Sequence, residues 1–149
     1  MATYLLDTNI LLRLMNPREQ EHGVCRRATT RMTVAGHTLL LAPQVLYEFW
    51  VVATRPRDAR GFGWTTTRTE SALDHLLMSF QLYPEAPELF EVWRMLVLEG
   101  SIVGKRAHDA RIAAFKNLYE IDYLITLNGD DFLGLADGIV TPEQALEHA

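Results

Sequence analysis

Asp7, Glu48, Asp109 and Asp131 are the side chains of this sequence whose type and surroundings could do chemistry. Asp7 closes the short uncharged run Thr3 to Leu6, which reads as a strand buried on both faces. In open α/β sheets, ligands sit outside the carboxyl ends of the strands, so Asp7 stands where a site would be. One isolated aspartate there is explained well enough as the cap of the helix that follows. Further acids at equivalent places favour a site. Glu48 is the single charge inside Gln44 to Thr54 (QVLYEFWVVAT), and a carboxylate among apolar neighbours needs either a wet edge or a partner, of which the partner is preferred. Asp109 lies in the first turn of a helix over Ala107 to Tyr119, where the helix dipole favours an anion. A last strand, Tyr123 to Ile125, feeds Thr126 to Phe132 (TLNGDDF), which carries Asn128, Asp130 and Asp131.

Gathered together, these carboxylates would destabilise one another. Two like charges about 4 Å apart repel by roughly 4 kcal/mol at an effective dielectric near 20, a large share of a domain's stability of about 5–15 kcal/mol. A divalent cation removes the conflict. Oxygen ligands without a convergent His or Cys set select a hard ion that keeps some of its water, Mg²⁺ or Mn²⁺. His108 beside Asp109 is given a structural or substrate-contact role instead of a metal one.

The elements that must position these residues alternate between strand and helix. After Asp7, apolar residues at 10, 11, 14 and 15 recur at helical spacing until Asn16-Pro17. A helix over 19–35 ends at Gly36, His37 to Ala42 forms a second strand, and Pro43 opens the helix of Glu48. Thr54 to Thr67 is the longest stretch without periodicity, and it clusters Arg55, Arg57 and Arg60. Helices over 69–80 and 87–99, a short strand at 81–83 and a capping-box helix from Thr141 complete the chain. Such alternation predicts one α/β domain over residues 1–149, with a central parallel sheet covered by helices. If the first, second and last strands are near neighbours, the acids converge on one edge.

Composition narrows the classes. A chain of 149 residues with 48% hydrophobic content buries a core without staples, and its single Cys25 can form neither an internal disulfide nor a cysteine-based zinc site. No window approaches the roughly 20 apolar residues that span a bilayer. With no signal-peptide pattern, a soluble protein in a reducing cytoplasm is expected. The formal charge of −5 argues against wholesale attraction to nucleic acid but allows a local basic strip. Gly100 to Arg106 (GSIVGKR) imitates a phosphate-binding P-loop, yet its glycines are one residue too close and Arg106 stands where Ser or Thr is required.

In order along the chain, LLDTNILL, the acid within APQVLYEF, AHDARIAA and LITLNGDDF resemble the PIN domain family, and more narrowly the VapC-type ribonuclease toxins of toxin–antitoxin pairs. The resemblance spans essentially the whole chain. It implies an α/β/α sandwich and metal-dependent hydrolysis of RNA. It further implies an acidic set of Asp7, Glu48, Asp109 and Asp131, with Asp7 and Asp109 on the metal and Asn9, Thr126 and Asn128 as polar supports or substrate contacts. Many relatives carry Asp where Asn128 stands, so the second metal and the choice among Asn128, Asp130 and Asp131 stay open. Arg55, Arg57 and Arg60, with Lys105 and Arg106, are the candidates for holding the RNA backbone. Implied partners are a small antitoxin whose tail blocks the pocket and a second copy of the chain. The helices of Trp50, Trp93 and Leu77 could supply such surfaces, although a core role suits most of these residues better. The alternative is a catalytically inactive module of the same fold that binds RNA or protein through the acidic pocket. A dehalogenase-like phosphatase would need Asp at position 9, where the chain has Asn9.

Overall fold

Three short strands without a charged residue form the middle of the molecule. The computed structural model describes residues 1–149. β1 (Thr3–Leu6), β2 (Thr38–Leu41) and β4 (Tyr123–Ile125) each end in residues withdrawn from solvent, as expected for strands covered on both faces. With β3 (Gln81–Leu82) and β5 (Ile139–Val140) they make one parallel sheet in the order β3-β2-β1-β4-β5. Leu5 lies opposite Leu40 on one side and Leu124 on the other. The strand order reverses at β1, so the crevice at its carboxyl end, between β1 and β4, is the topological switch point of the sheet.

Seven helices cover this sheet: α1 (Thr8–Met15), α2 (His22–Val34), α3 (Pro43–Thr54), α4 (Thr66–Ser79), α5 (Leu89–Glu99), α6 (Arg106–Leu118) and α7 (Pro142–Leu146). α1 packs on α2 and α3, α3 on α4, and α2 on α7, while α5 and α6 pair with each other. Pro43 opens α3 at a position that needs no N–H, and Thr141 with Gln144 closes a reciprocal capping box at α7. The main core joins Tyr4, Leu5, Leu6, Ile10 and Leu11 to Leu40, Leu41, Phe49, Phe115 and Phe132. Cys25 belongs to it as a small hydrophobe, its thiol pushed up to about 12 by burial. The fold is the single α/β/α sandwich around a parallel sheet that the alternation predicts.

Three departures from the sequence reading have physical causes. The segment Thr54 to Thr67 is ordered: a 3₁₀ turn at Arg57–Ala59 folds back on α3, and the amides of Phe62, Gly63 and Trp64 donate to the carbonyls of Val52, Arg55 and Ala53. Trp64 is buried at its end and anchors it. The second helix begins at His22, because the residues before it are used in turns after Pro17. β5 has no counterpart in the sequence reading; with two residues it shows no period, and it pairs with β4 as a parallel edge.

Candidate active site

Asp7 is placed by β1 and held by β4. Its own N–H extends the ladder to the Ile125 carbonyl at 3.0 Å. One carboxylate oxygen, Oδ1, accepts from the Thr8 amide at 2.8 Å, which caps α1. The other, Oδ2, accepts from the Thr126 hydroxyl at 2.7 Å and from the Asn9 amide at 3.2 Å. Asn9 Nδ2 also reaches Thr126 Oγ1, and its Oδ1 accepts from the Leu127 amide. Thr126 Oγ1 accepts in turn from the Asn128 amide. The Asp-Thr-Asn run of α1 and the Thr-Leu-Asn run after β4 are thus laced across the switch point. Thr126 is completely buried, so it acts by holding Asp7 and cannot touch a substrate.

Glu48, half-buried on α3, is fixed by two donors missed in the sequence. Its Oε2 accepts from Thr8 Oγ1 at 2.7 Å and its Oε1 from Gln44 Nε2 at 2.8 Å. Gln44 Nε2 also donates to the His108 carbonyl at 2.9 Å, tying α3 to the first turn of α6 beside Asp109. Gln44 precedes Glu48 by four residues, so the two share a helix face, a spacing that was available to a sequence reader. The Thr8 contact spans forty positions of sequence and left no local signal.

Electrostatically the acids form one group. The Asp7 carboxyl is pushed up to about 6, first by loss of solvent and further by the charges of Glu48 and Asp109, against the pull of its Thr126 and Thr8 hydrogen bonds. Asp109 is also raised, by burial and then by Asp131 and Glu48, with Arg106 and His108 opposing. Asp131 stands exposed on the 3₁₀ turn Gly129–Phe132 that follows Asn128. Carboxylates from four elements therefore act on one another, Asp131 through Asp109, with Arg106 and His108 as the nearby opposing charges. No three of the His, Cys, Asp and Glu side chains are close enough to enclose an ion by themselves. An ion held here would lean on one or two carboxylates and keep water, which suits the habits of Mg²⁺.

The donor set fits a hard divalent cation. It is all oxygen, it carries an excess of negative charge, and the buried Gln44 Oε1 lacks any hydrogen-bond donor. Lys105 and Arg106 are exposed at the start of α6, Arg106 close enough to act on Asp109 and donating to the Leu133 carbonyl. Arg55 and Arg57 do not join the group. They follow the carboxyl end of α3, and Arg57 shares a cavity with Asn16, at the end of α1 opposite to Asp7. Eight residues of helix separate those ends, about 12 Å. α3 starts at the carboxyl end of β2 and runs back along the sheet, so the arginines that follow it are carried away from the acids.

No protein-family model matches the chain, and no curated protein does. Solved structures do match over nearly the full length. VapBC2 from Rickettsia felis, bound to a DNA fragment from its promoter, superposes with a TM-score of 0.69 at 18% identity, covering 93% of this chain and 96% of that one. VapC20 of Mycobacterium tuberculosis, described as a toxin that cleaves the sarcin–ricin loop, gives 0.63 at 18% identity over 88% and 94%. A toxin–antitoxin complex from Klebsiella pneumoniae gives 0.62 at 25% identity over 93% and 97%. The chain has the fold of the VapC-type PIN domains.

Proposed function

We propose that this chain is a metal-dependent endoribonuclease and the toxin of a toxin–antitoxin pair. The observation that carries the proposal is that Asp7, at the switch point of a VapC-type fold, is joined through Thr8 to Glu48, and Glu48 through Gln44 to the first turn of α6 that carries Asp109. The description of VapC20 as an RNA-cleaving toxin and the neighbouring toxin–antitoxin complexes support the substrate class and the partner.

Asp7 and Asp109 would hold Mg²⁺, or Mn²⁺ in its place. Such an ion, when bound, supplies Lewis-acid stabilisation of phosphoryl oxygens and a more acidic water. The protein's own residues do the rest. Thr8, Asn9 and Thr126 keep the Asp7 carboxylate in one orientation, so it presents its charge without reorganising. Glu48, fixed by Thr8 and Gln44, and Asp131 on its exposed turn are the groups that orient a water and take its proton as its oxygen bonds to phosphorus. The P–O bond to the leaving ribose oxygen breaks, and that oxygen is protonated to a hydroxyl. Lys105 and Arg106 hold the flanking phosphates against the repulsion of the acids. Exposed apolar side chains on α3 (Tyr47, Val51) and α5 (Phe90, Met95, Leu98) offer surface for a second copy or for the antitoxin. No helix is long and apolar enough to cross a membrane, and the place of action we assign is the cytoplasm.

The test is cleavage of RNA by purified protein with and without added Mg²⁺ or Mn²⁺. Cleavage that requires the ion and disappears in Asp7→Asn is expected. RNA binding that survives chelation, with no cut in any metal, overturns the nuclease reading in favour of a binding module.

A further inference from the structure

The end of the molecule opposite the acids carries a second concentration of charge, of the other sign. A cavity of about 330 Å³ is lined by Arg18, Arg57 and Arg68 together with Asn16, Phe62 and Trp64, and by no carboxylate. Each arginine comes from a different element: Arg18 from the turn after α1, Arg57 from the 3₁₀ turn and Arg68 from the first turn of α4. None of the three forms a salt bridge, although the chain has 19 acidic residues against 14 basic ones. Arg68 also sits at the positive end of a helix dipole, where a cation is disfavoured.

Two of the three guanidinium groups are held in place by more than solvent. The Arg68 guanidinium lies 4.1 Å from the Trp64 ring centroid, stacked on a side chain that is itself buried. Arg57 Nε donates to the Phe62 carbonyl at 3.4 Å. The turn between them is tight: a Cβ on Gly61 would lie 1.9 Å from the Arg55 carbonyl oxygen, so only glycine fits. Planar, permanently charged donors, two of them fixed by their neighbours and none of the three in a salt bridge, match the oxygens of a phosphoryl group.

We propose that this cavity binds phosphoryl anions, in the first place the phosphodiester backbone of a single-stranded RNA held at a distance from the acidic edge. Only the identity of the strand rests on the proposed nuclease function. The site needs no metal and no carboxylate, and it gives an overall acidic protein a local hold on a polyanion.

Binding of a labelled single-stranded RNA by metal-free protein, followed by anisotropy over a range of salt, tests this. Arg18→Gln/Arg68→Gln should weaken binding by about 10-fold or more and reduce the salt slope by about 0.7 for each phosphate no longer neutralised. Arg18 makes no side-chain interaction that the fold needs, so Arg18→Gln alone keeps the test open if the double variant fails to fold. Inorganic pyrophosphate separates the sources. If RNA binding is unchanged but pyrophosphate raises the Tm of the wild type and not of the variant, the site is kept and assigned to free phosphates. If neither probe distinguishes variant from wild type, or an acidic peptide binds where both fail, the inference is overturned. RNA cleavage in Mg²⁺ is scored separately, so loss of the nuclease reading and loss of this site are different results.

Discussion

At the residue scale, the buried carboxyl of Asp7 makes the metal-free protein pay for its site in stability. Its folded pKa of about 6 exceeds the ordinary 3.8, so its contribution to stability is fully present below pH 3.8 and is lost as pH rises through 6. The displacement corresponds to on the order of 3 kcal/mol at pH 8. Asp7→Asn removes the titration. In metal-free buffer its stability relative to wild type should therefore rise by a few kcal/mol between pH 4 and pH 8, measured by urea denaturation at both. Equal differences at the two pH values would mean that the carboxyl is not strained. Gln44 makes a second prediction. Gln44→Leu keeps the buried volume but frees Glu48 Oε1 and the His108 carbonyl, and removing such a supporting hydrogen bond typically costs 10–100-fold in activity. RNA cleavage reduced within that range, with Tm held within a few degrees, is expected; unchanged cleavage would remove Gln44 from the site. Asp7 could be read from sequence because a carboxylate ending an apolar strand is a local pattern. Thr8 could not be read the same way, since its partner lies on another element, and of Gln44's two contacts only the one to Glu48 has a helical spacing in the sequence.

At the element scale, the long strongly periodic helices and the buried strands were legible, α3 and β4 almost to the residue. The parts that needed tertiary contacts to exist were not. β5 depends on tertiary contacts, pairing with β4, packing of Ile139 and Val140 on the core, and a chain reversal at Gly138, whose φ of +71° and approach to the Asp122 carbonyl leave no room for a side chain. A Cβ there would lie 2.3 Å from that oxygen. Gly138→Ala should destabilise the protein by at least about 1–3 kcal/mol, the cost of a residue forced into such backbone, with the strain falling on β5 and α7. Hydrogen exchange would show it as faster opening at Leu124 and Thr126, whose amides donate to the Gly138 and Val140 carbonyls. Since Thr126 also holds Asp7, loosening this edge should reach the site. The order of Thr54 to Thr67 was hidden for a similar reason: its hydrogen bonds go to the carbonyls of α3, and its anchor, Trp64, has no period to advertise it.

At the scale of the whole molecule, coupled carboxylates flanked by Arg106 lie beyond the carboxyl ends of the strands, and unpaired guanidinium groups lie beyond the far ends of α1 and α3. The acidic end should therefore answer to a hard cation by mass action. A ligand that binds only the folded state stabilises it by about 2.7 kcal/mol at 100 times its Kd. For a domain of this length that is a rise in Tm of about 5–10 °C. Mg²⁺ or Mn²⁺ at constant ionic strength should raise the Tm of the wild type progressively with concentration, while Na⁺ at matched strength does not. Asp7→Asn should flatten the response, because the carboxylate best fixed by its neighbours is gone. Arg18→Gln should leave it intact, because that arginine faces the other end. A metal response that survives Asp7→Asn would place the ion elsewhere, and no response at any concentration would leave the four acids without the counter-charge that the nuclease reading requires.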